Sequence, residues 1–157
     1  VVHGIIRQET EFDPTAISGA GARGMMQMMP ATARATARDV GLPYHFEWLS
    51  YDADYNMRLG LYHLQEVIEE FDGSYVLAFA AYNAGGHRSR TWIENFGDPR
   101  AAGIDPIDWV EMIPFSETRN YVQRIIENTQ VYRHRLGDGS PVPLRIMDDL
   151  NRGSPNG

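Results

Sequence analysis

Three carboxylates, Glu9, Glu11 and Asp13, follow one another at every second position near the start of the chain, and they are the first side chains whose chemistry can be weighed. A glycosidic bond breaks when a carboxylic acid protonates the leaving oxygen while a second group, usually another carboxylate, supports the oxocarbenium-like centre. The segment does not supply that pair. Glu11 lies two residues beyond Glu9, which on a helix turns it roughly 200° away. Asp13 lies four residues on, but Pro14 disfavours helical geometry in the residue before it. Glu9 is left as a single acid, and a lone glutamate near a helix end is by itself ordinarily a solvated side chain.

Other chemistries fall away on spacing. Gly19, Gly21 and Gly24 match G-x-G-x-x-G, but that motif binds a pyrophosphate only between a strand and a helix, and here a helix precedes it; the spacing predicts a tight turn with positive φ. Asp52, Asp54 and Asn56 imitate the first positions of a calcium loop, yet Met57 stands where the turn needs glycine and His63 where a bidentate glutamate is needed. These residues are expected to cap the following helix instead. His3, His45, His63, His87 and His134 include no i, i+4 pair, so no metal site is expected. There is no G-x-S-x-G elbow. The chain contains no cysteine, which excludes a thiol nucleophile, Cys-ligated zinc and disulfides. No cofactor is expected.

The elements that must position Glu9 follow from periodicity. Val2, Ile5, Ile6 and Phe12 predict a helix over Val1 to Phe12 that stops at Asp13-Pro14, with Glu9 in its last turns. A glycine-rich loop and Met25 to Met29 follow, then a polar helix from Pro30 to about Val40, proline suiting a first turn. Met57, Leu61, Leu64, Val67, Ile68 and Phe71 form one stripe of a helix over Asp54 to Phe71, closed by Gly73. Ser74 to Tyr82 is apolar on all sides, as a central helix should be, and ends at Asn83-Ala84-Gly85. A shorter helix lies around Trp92. Asp105 and Pro106 start a helix through Trp109 to Ile113, and Ser116 is expected to cap a long last helix closed by Gly137. The fold class is all-α.

With 157 residues, 43% of them hydrophobic, the chain fits one globular domain. Its extent is read as residues 1–137, followed by a Pro/Gly/Ser-rich tail without its own core over 138–157. A net charge of −7 with no basic run argues against nucleic-acid binding. No apolar stretch approaches a membrane span. The first residues already follow helical spacing, which predicts a fragment of a longer precursor whose targeting segment lies upstream.

The joint pattern adds what single residues cannot. The strings Ile6-Arg7-Gln8-Glu9-Thr10-Glu11-Phe12-Asp13-Pro14 and Ser18 to Ala33 resemble the soluble lytic transglycosylase family. So, in order, do Asn56 to Leu64 with Gly60, Ala80-Ala81-Tyr82-Asn83-Ala84-Gly85, and Ile113-Pro114-Phe115-Ser116-Glu117-Thr118-Arg119-Asn120-Tyr121-Val122. The resemblance spans about residues 5–135. It implies a lysozyme-like helical domain with a groove for alternating N-acetylmuramic acid and N-acetylglucosamine, acting in the bacterial cell envelope, the periplasm above all, or carried by a phage or secretion machine.

In that family's manner Glu9 would be the single general acid and base. It would protonate the leaving oxygen and then take the proton of the muramic acid C6 hydroxyl, which closes on C1 to a 1,6-anhydro end. The acid role requires Glu9 to hold its proton near neutral pH in an apolar, partly dry site, to which the methionines could contribute. The family's binding positions map onto Ser18, Gln27, Met29, Ala81, Tyr82, Asn83, Glu117 and Tyr121. Each also has an ordinary reading: core packing for the methionines, an apolar stripe for Tyr121, and a helix-dipole contact for Glu117. The chain departs from the family at Thr10, where serine is usual, at Met25, where leucine is, and at Gly86-His87 in place of Pro-Gly. Two rivals remain: a hydrolysing lysozyme with Asp13 as second carboxylate, and a glycan-binding module without turnover.

Overall fold

The computed structural model describes residues 1–154; Pro155, Asn156 and Gly157, the end of the expected tail, lie outside the described residues. Nine helices are present among them: α1 (Val2–Thr10), α2 (Pro30–Asp39), α3 (Trp48–Tyr51), α4 (Ala53–Glu70), α5 (Tyr75–Ala84), α6 (Gly86–Phe96), α7 (Pro106–Glu111), α8 (Ser116–Arg135) and α9 (Ile146–Leu150). The only β-pairing among the described residues is a pair of isolated bridges, Ile17 with Arg23 and Arg23 with Met28. The all-α reading holds. The chain forms two compact units, residues 2–66 and residues 67–157 together with Val1, with the boundary inside α4.

In the unit of residues 2–66, Met28, Ala33, Ala37, Leu49, Tyr55 and Leu59 form a core that Leu42 and Tyr44 extend. α1 ends two residues earlier than its apolar pattern predicts, because Glu11 and Phe12 take left-handed φ values of 52° and 72° before Pro14 is reached. α2 starts at Pro30 as expected. Asp52 caps α4 by accepting the Tyr55 N–H at 3.0 Å.

The inward face of α4 differs from the predicted stripe. Leu61 is 37% exposed and Met57 only half-buried, while Tyr55, Asn56, Leu59, Gly60, Leu64 and Val67 are buried. An apolar-only pattern passes over Asn56 and Gly60, one turn apart, and these two decide which face turns inward. Asn56, expected to be a cap, is 0% exposed. Its Oδ1 accepts the Met26 N–H at 3.0 Å, and its Nδ2 donates to the Arg23 carbonyl at 2.8 Å and the Leu49 carbonyl at 3.0 Å. Gly24 has φ +74°, and a Cβ there would collide with the Asn56 amide and the Leu49 carbonyl. A Cβ on Gly60 would come within 2.5 Å of the Met26 sulfur.

In the second unit, α5 is buried over the consecutive residues Tyr75 to Ala81. It packs against α6, α8 and α9, which makes it the central helix that its unbroken apolar run predicts. Ser74 caps it by accepting the Leu77 N–H, and Gly85 ends it at φ 92°. Asp105 caps α7 at Ile107, and α7 closes at Glu111, two residues short of the expected end. Ser116 is the first residue of α8 rather than its cap; the capping position belongs to Phe115, which makes no side-chain bond there. The C-terminal segment is not featureless. α9 packs on α5 and α8, where Asp149 is buried and takes Arg133 Nη2 at 2.7 Å and Gln130 Nε2 at 2.6 Å. Two turns are tied by Arg100, which donates to both oxygens of Asp98, to Asp72 Oδ2 at 2.8 Å and to the Phe71 carbonyl at 3.2 Å.

Two outcomes follow. Replacing Asn56 by alanine leaves buried backbone groups of Met26 and Leu49 without partners, so urea unfolding should show a loss of about 2–4 kcal/mol. Unchanged stability would show that the amide is dispensable. The Arg100 hydrogen bonds hold the Asp98 carboxyl below its ordinary 3.8, against the opposing effect of burial. A depressed carboxylate pKa stabilises the fold above the unfolded value, and that contribution is lost as pH falls through the folded value. The melting temperatures of the wild type and Asp98→Asn should therefore differ at neutral pH and converge below about pH 4.

Candidate active site

Glu9 occupies the last turn of α1, half-buried, four residues beyond the fully buried Ile5. Thr10 secures this end: its hydroxyl donates to the Met25 carbonyl at 3.1 Å and lies 3.4 Å from the Ile6 carbonyl. The threonine that replaces the expected serine thus keeps its hydroxyl in use, joining α1 to the methionine run. The other two carboxylates are placed differently. Glu11 is exposed on left-handed backbone. Asp13 is exposed, and its Oδ1 accepts both the Thr15 N–H at 2.8 Å and the Thr15 hydroxyl at 2.7 Å, which lower its pKa.

The turn over residues 16–28 is organised by its own backbone. Arg23 and Met28 exchange both N–H···O bonds at 3.0 Å, Ser18 N–H donates to Ala22, and Gly24 N–H to Ala16. Of the three spaced glycines, Gly21 and Gly24 have positive φ, as a tight turn requires; Gly19 does not. Ser18 accepts the Ala22 N–H on its Oγ at 3.0 Å. Gln27 has φ 47°, and its Nε2 donates to the Ala16 carbonyl at 3.2 Å and the Gly24 carbonyl at 2.9 Å. That leaves Oε1 as the end of the Gln27 amide able to meet a ligand. Met26 and Met28 are buried, in line with core packing, whereas Met29 is 42% exposed on extended backbone just before α2. Sequence reasoning assigned no part to Arg23. Its Nη1 donates to Ser50 Oγ at 3.1 Å, and its guanidinium lies over the Phe46 ring.

In the unit of residues 67–157, the other predicted residues sit at the end of α5 and the start of α8. Tyr82 and Asn83 are half-buried in the last turn of α5. Asn83 Oδ1 accepts the Thr118 hydroxyl at 2.7 Å, so its Nδ2 remains as a donor. Asn83, Ala84, Arg88, Phe115, Glu117 and Thr118 line a cleft of about 290 Å³. Glu117 is exposed in the first turn of α8, and Arg88 lies 4.4 Å from the centre of the Phe115 ring. Ala81 and Tyr121 are each 4% exposed, so they are wall rather than lining. The cleft gains four residues that the sequence reading did not select: Ala84, Arg88, Phe115 and Thr118. A polar Thr118 facing into a helix packed on α5 could have signalled the Asn83 partner. The replaced residues Gly86-His87 open α6 directly after Gly85.

Among the described residues no group of His, Asp and Glu is placed to hold a metal ion, and no helix is long and apolar enough to cross a membrane.

The family model described as the transglycosylase SLT domain matches residues 1–103, and that described as the soluble lytic transglycosylase helical domain matches residues 112–141. The chain is 40% identical over 135 residues to the soluble lytic murein transglycosylase of Escherichia coli K12, covering 85% of this chain and 20% of that protein. It is 38% identical over 149 residues to a putative soluble lytic murein transglycosylase of Haemophilus influenzae, covering 94% of this chain and 24% of the relative. The crystal structure of the 70 kDa soluble lytic transglycosylase from E. coli superposes with a TM-score of 0.79 at 40% identity, over 86% of this chain and 21% of that one. The X-ray structure of the lytic transglycosylase Slt from Pseudomonas aeruginosa, an inactive Glu-to-Gln mutant, gives 0.82 at 39% identity, over 96% and 23%. The chain thus spans between a fifth and a quarter of the length of these relatives. With a family model matching two-thirds of its length, an identity near 40% and a shared lysozyme-like helical fold, this chain belongs to the soluble lytic transglycosylase family.

Proposed function

We propose that this chain is a peptidoglycan lytic transglycosylase. It cleaves the β-1,4 bond between N-acetylmuramic acid and N-acetylglucosamine, leaves a 1,6-anhydromuramic acid end, and uses Glu9 as its single general acid and base. The observation that carries this reading is the separation of roles among the three carboxylates. Glu9 is half-buried at a helix end secured by Thr10, while Glu11 is exposed and Asp13 is occupied by Thr15. In the proposed reaction the Glu9 carboxyl gives its proton to the leaving glycosidic oxygen. The carboxylate then takes the proton of the C6 hydroxyl as O6 bonds to C1. The acid is regenerated and no water is consumed, so a second carboxylate to activate water is unnecessary. That a Glu-to-Gln mutant of the Pseudomonas relative is inactive supports an essential glutamate in that protein.

The remaining assignments follow the hydrogen-bonding capacity left in each group. Gln27 Oε1 can accept from a sugar hydroxyl or acetamido N–H, and Asn83 Nδ2 can donate to an acetamido carbonyl. Glu117 can accept from hydroxyls, and Tyr82 offers a ring. Ser18 and Met29 would shape the surroundings of Gln27, and Ala81 and Tyr121 those of Asn83. The partner is the glycan strand of peptidoglycan and the compartment the bacterial envelope, the periplasm above all. The solved complex of a 70-kDa soluble lytic transglycosylase with bulgecin A, 39% identical to this chain, shows that protein's capacity for a bound ligand.

Glu9→Gln should lower lysis of purified sacculi by about 10²- to 10⁴-fold while sacculus binding persists. Equal lysis by variant and wild type would remove Glu9 from the chemistry. Mass spectrometry of the wild-type digest should find anhydromuramyl ends; reducing ends would instead indicate a hydrolysing lysozyme, and absence of cleavage with retained binding a glycan-binding module.

A further inference from the structure

Residues 2–66 also expose a cluster of aromatic rings that takes no part in the chemistry assigned to Glu9. Phe46 is 40%, Trp48 42% and Tyr51 86% exposed. Trp48 and Tyr51 stand three residues apart on α3, whose intervening Leu49 and Ser50 are buried, so both rings share the outward side.

Two of these rings, Phe46 and Trp48, are held in place. The His45 ring lies 3.9 Å from that of Trp48, and Tyr55 meets Trp48 edge-on at 5.3 Å. Tyr55 is itself fixed, its hydroxyl donating to the Pro43 carbonyl at 2.8 Å and accepting the His45 N–H at 3.2 Å. Phe46 is covered on one side by the Arg23 guanidinium, 4.4 Å from the ring centre. Large rings kept exposed and restrained lose little freedom when a ligand arrives, which is the behaviour of a binding surface rather than of scattered surface apolar residues.

The chemistry of the patch narrows its ligand. Exposed Glu47, Asp52 and Asp54 flank the rings and supply acceptors for hydroxyl donors. An amphipathic pyranose, with a C–H face to lie on a ring and hydroxyls at its rim, matches both features. Arg23 also connects the patch to the turn beside the candidate site, since its backbone pairs with Met28 and its neighbour Gly24 accepts Gln27 Nε2.

We propose that Phe46, Trp48 and Tyr51 form a glycan-binding platform on which N-acetylhexosamine rings of the strand stack, continuous through Arg23 with the turn that carries Gln27. The proposal rests on the reading of the chain as a peptidoglycan-cleaving enzyme and extends the strand's footprint beyond the residues assigned above.

The chain's three tryptophans supply an internal probe, because Trp92 and Trp109 are buried and only Trp48 is exposed. Glu9→Gln protein is titrated with peptide-free glycan strands and with the N-acetylglucosamine hexamer while tryptophan emission is followed, and binding to purified sacculi is measured by co-sedimentation. Emission should shift to shorter wavelength on addition of either glycan. Adding Trp48→Ala should weaken sacculus binding by about tenfold, and adding Tyr51→Ala by about threefold. Tyr51 is so exposed that its variant tests the platform even if Trp48→Ala fails to fold. Unmoved emission at glycan concentrations that saturate binding, or sacculus binding by Tyr51→Ala and a folded Trp48→Ala as tight as the parent's, overturns the platform. If the wild type still cleaves sacculi, that result leaves the enzymatic reading standing; if no form binds strands at all, both fall.

Discussion

A side-chain amide that is wholly buried must satisfy its oxygen and nitrogen inside the protein, and Asn56 does so on three backbone groups from two separate segments. This constraint is what the turn over residues 16–28 depends on. Arg23 and Met26 are anchored from one side by the amide, and Gly24 must lack a side chain because the amide occupies the space a Cβ would need. Gly60, one helical turn along α4, makes room for Met26 in the same way. The turn is therefore held by hydrogen bonds that cannot be exchanged for water, which is the form of rigidity a binding site requires.

That rigidity decides which atoms remain for a ligand. Gln27 spends its amide nitrogen on the carbonyls of Ala16 and Gly24, Ser18 closes its own turn, and Thr10 ties the end of α1 to Met25. Residues that a sequence motif presents as a row of equal donors and acceptors are in fact mostly committed, each leaving one end over. The same holds around the cleft by α8, where the Thr118 hydroxyl uses the Asn83 oxygen and leaves the nitrogen. A site built this way would recognise by the orientation of a few leftover groups rather than by their number.

The apolar interior of the second unit works to the same purpose by different means. α5 buries every side chain from Tyr75 to Ala81, so its only freedom to present polar groups is at its C-terminal end, where Tyr82 and Asn83 emerge before Gly85 breaks the helix. The C-terminal segment closes over part of this interior through Asp149, whose charge is acceptable in a buried position because Arg133 and Gln130 both reach it.

Local rules written in the sequence were enough for much of this. Proline at Pro30, the Asp105-Pro106 pair, Ser74 and Gly85 each act within a few residues, and the helix boundaries near them fell where those residues placed them. Glu9 at a helix end, and the unbroken apolar run of α5, were legible for the same reason. What was not legible involved partners distant along the chain. Asn56 read as a helix cap because nothing local marks a polar residue as a core hub; only the arrival of Arg23, Leu49 and Met26 around it gives its amide a use. The face of α4 was misjudged at Leu61 because burial there is set by neighbours, not by hydropathy. The left-handed pair Glu11 and Phe12, the docking of α9 through Asp149, and the exposed rings of Phe46, Trp48 and Tyr51 were likewise decided by tertiary structure, since backbone strain, ion pairing and exposure depend on what packs alongside rather than on the residue itself.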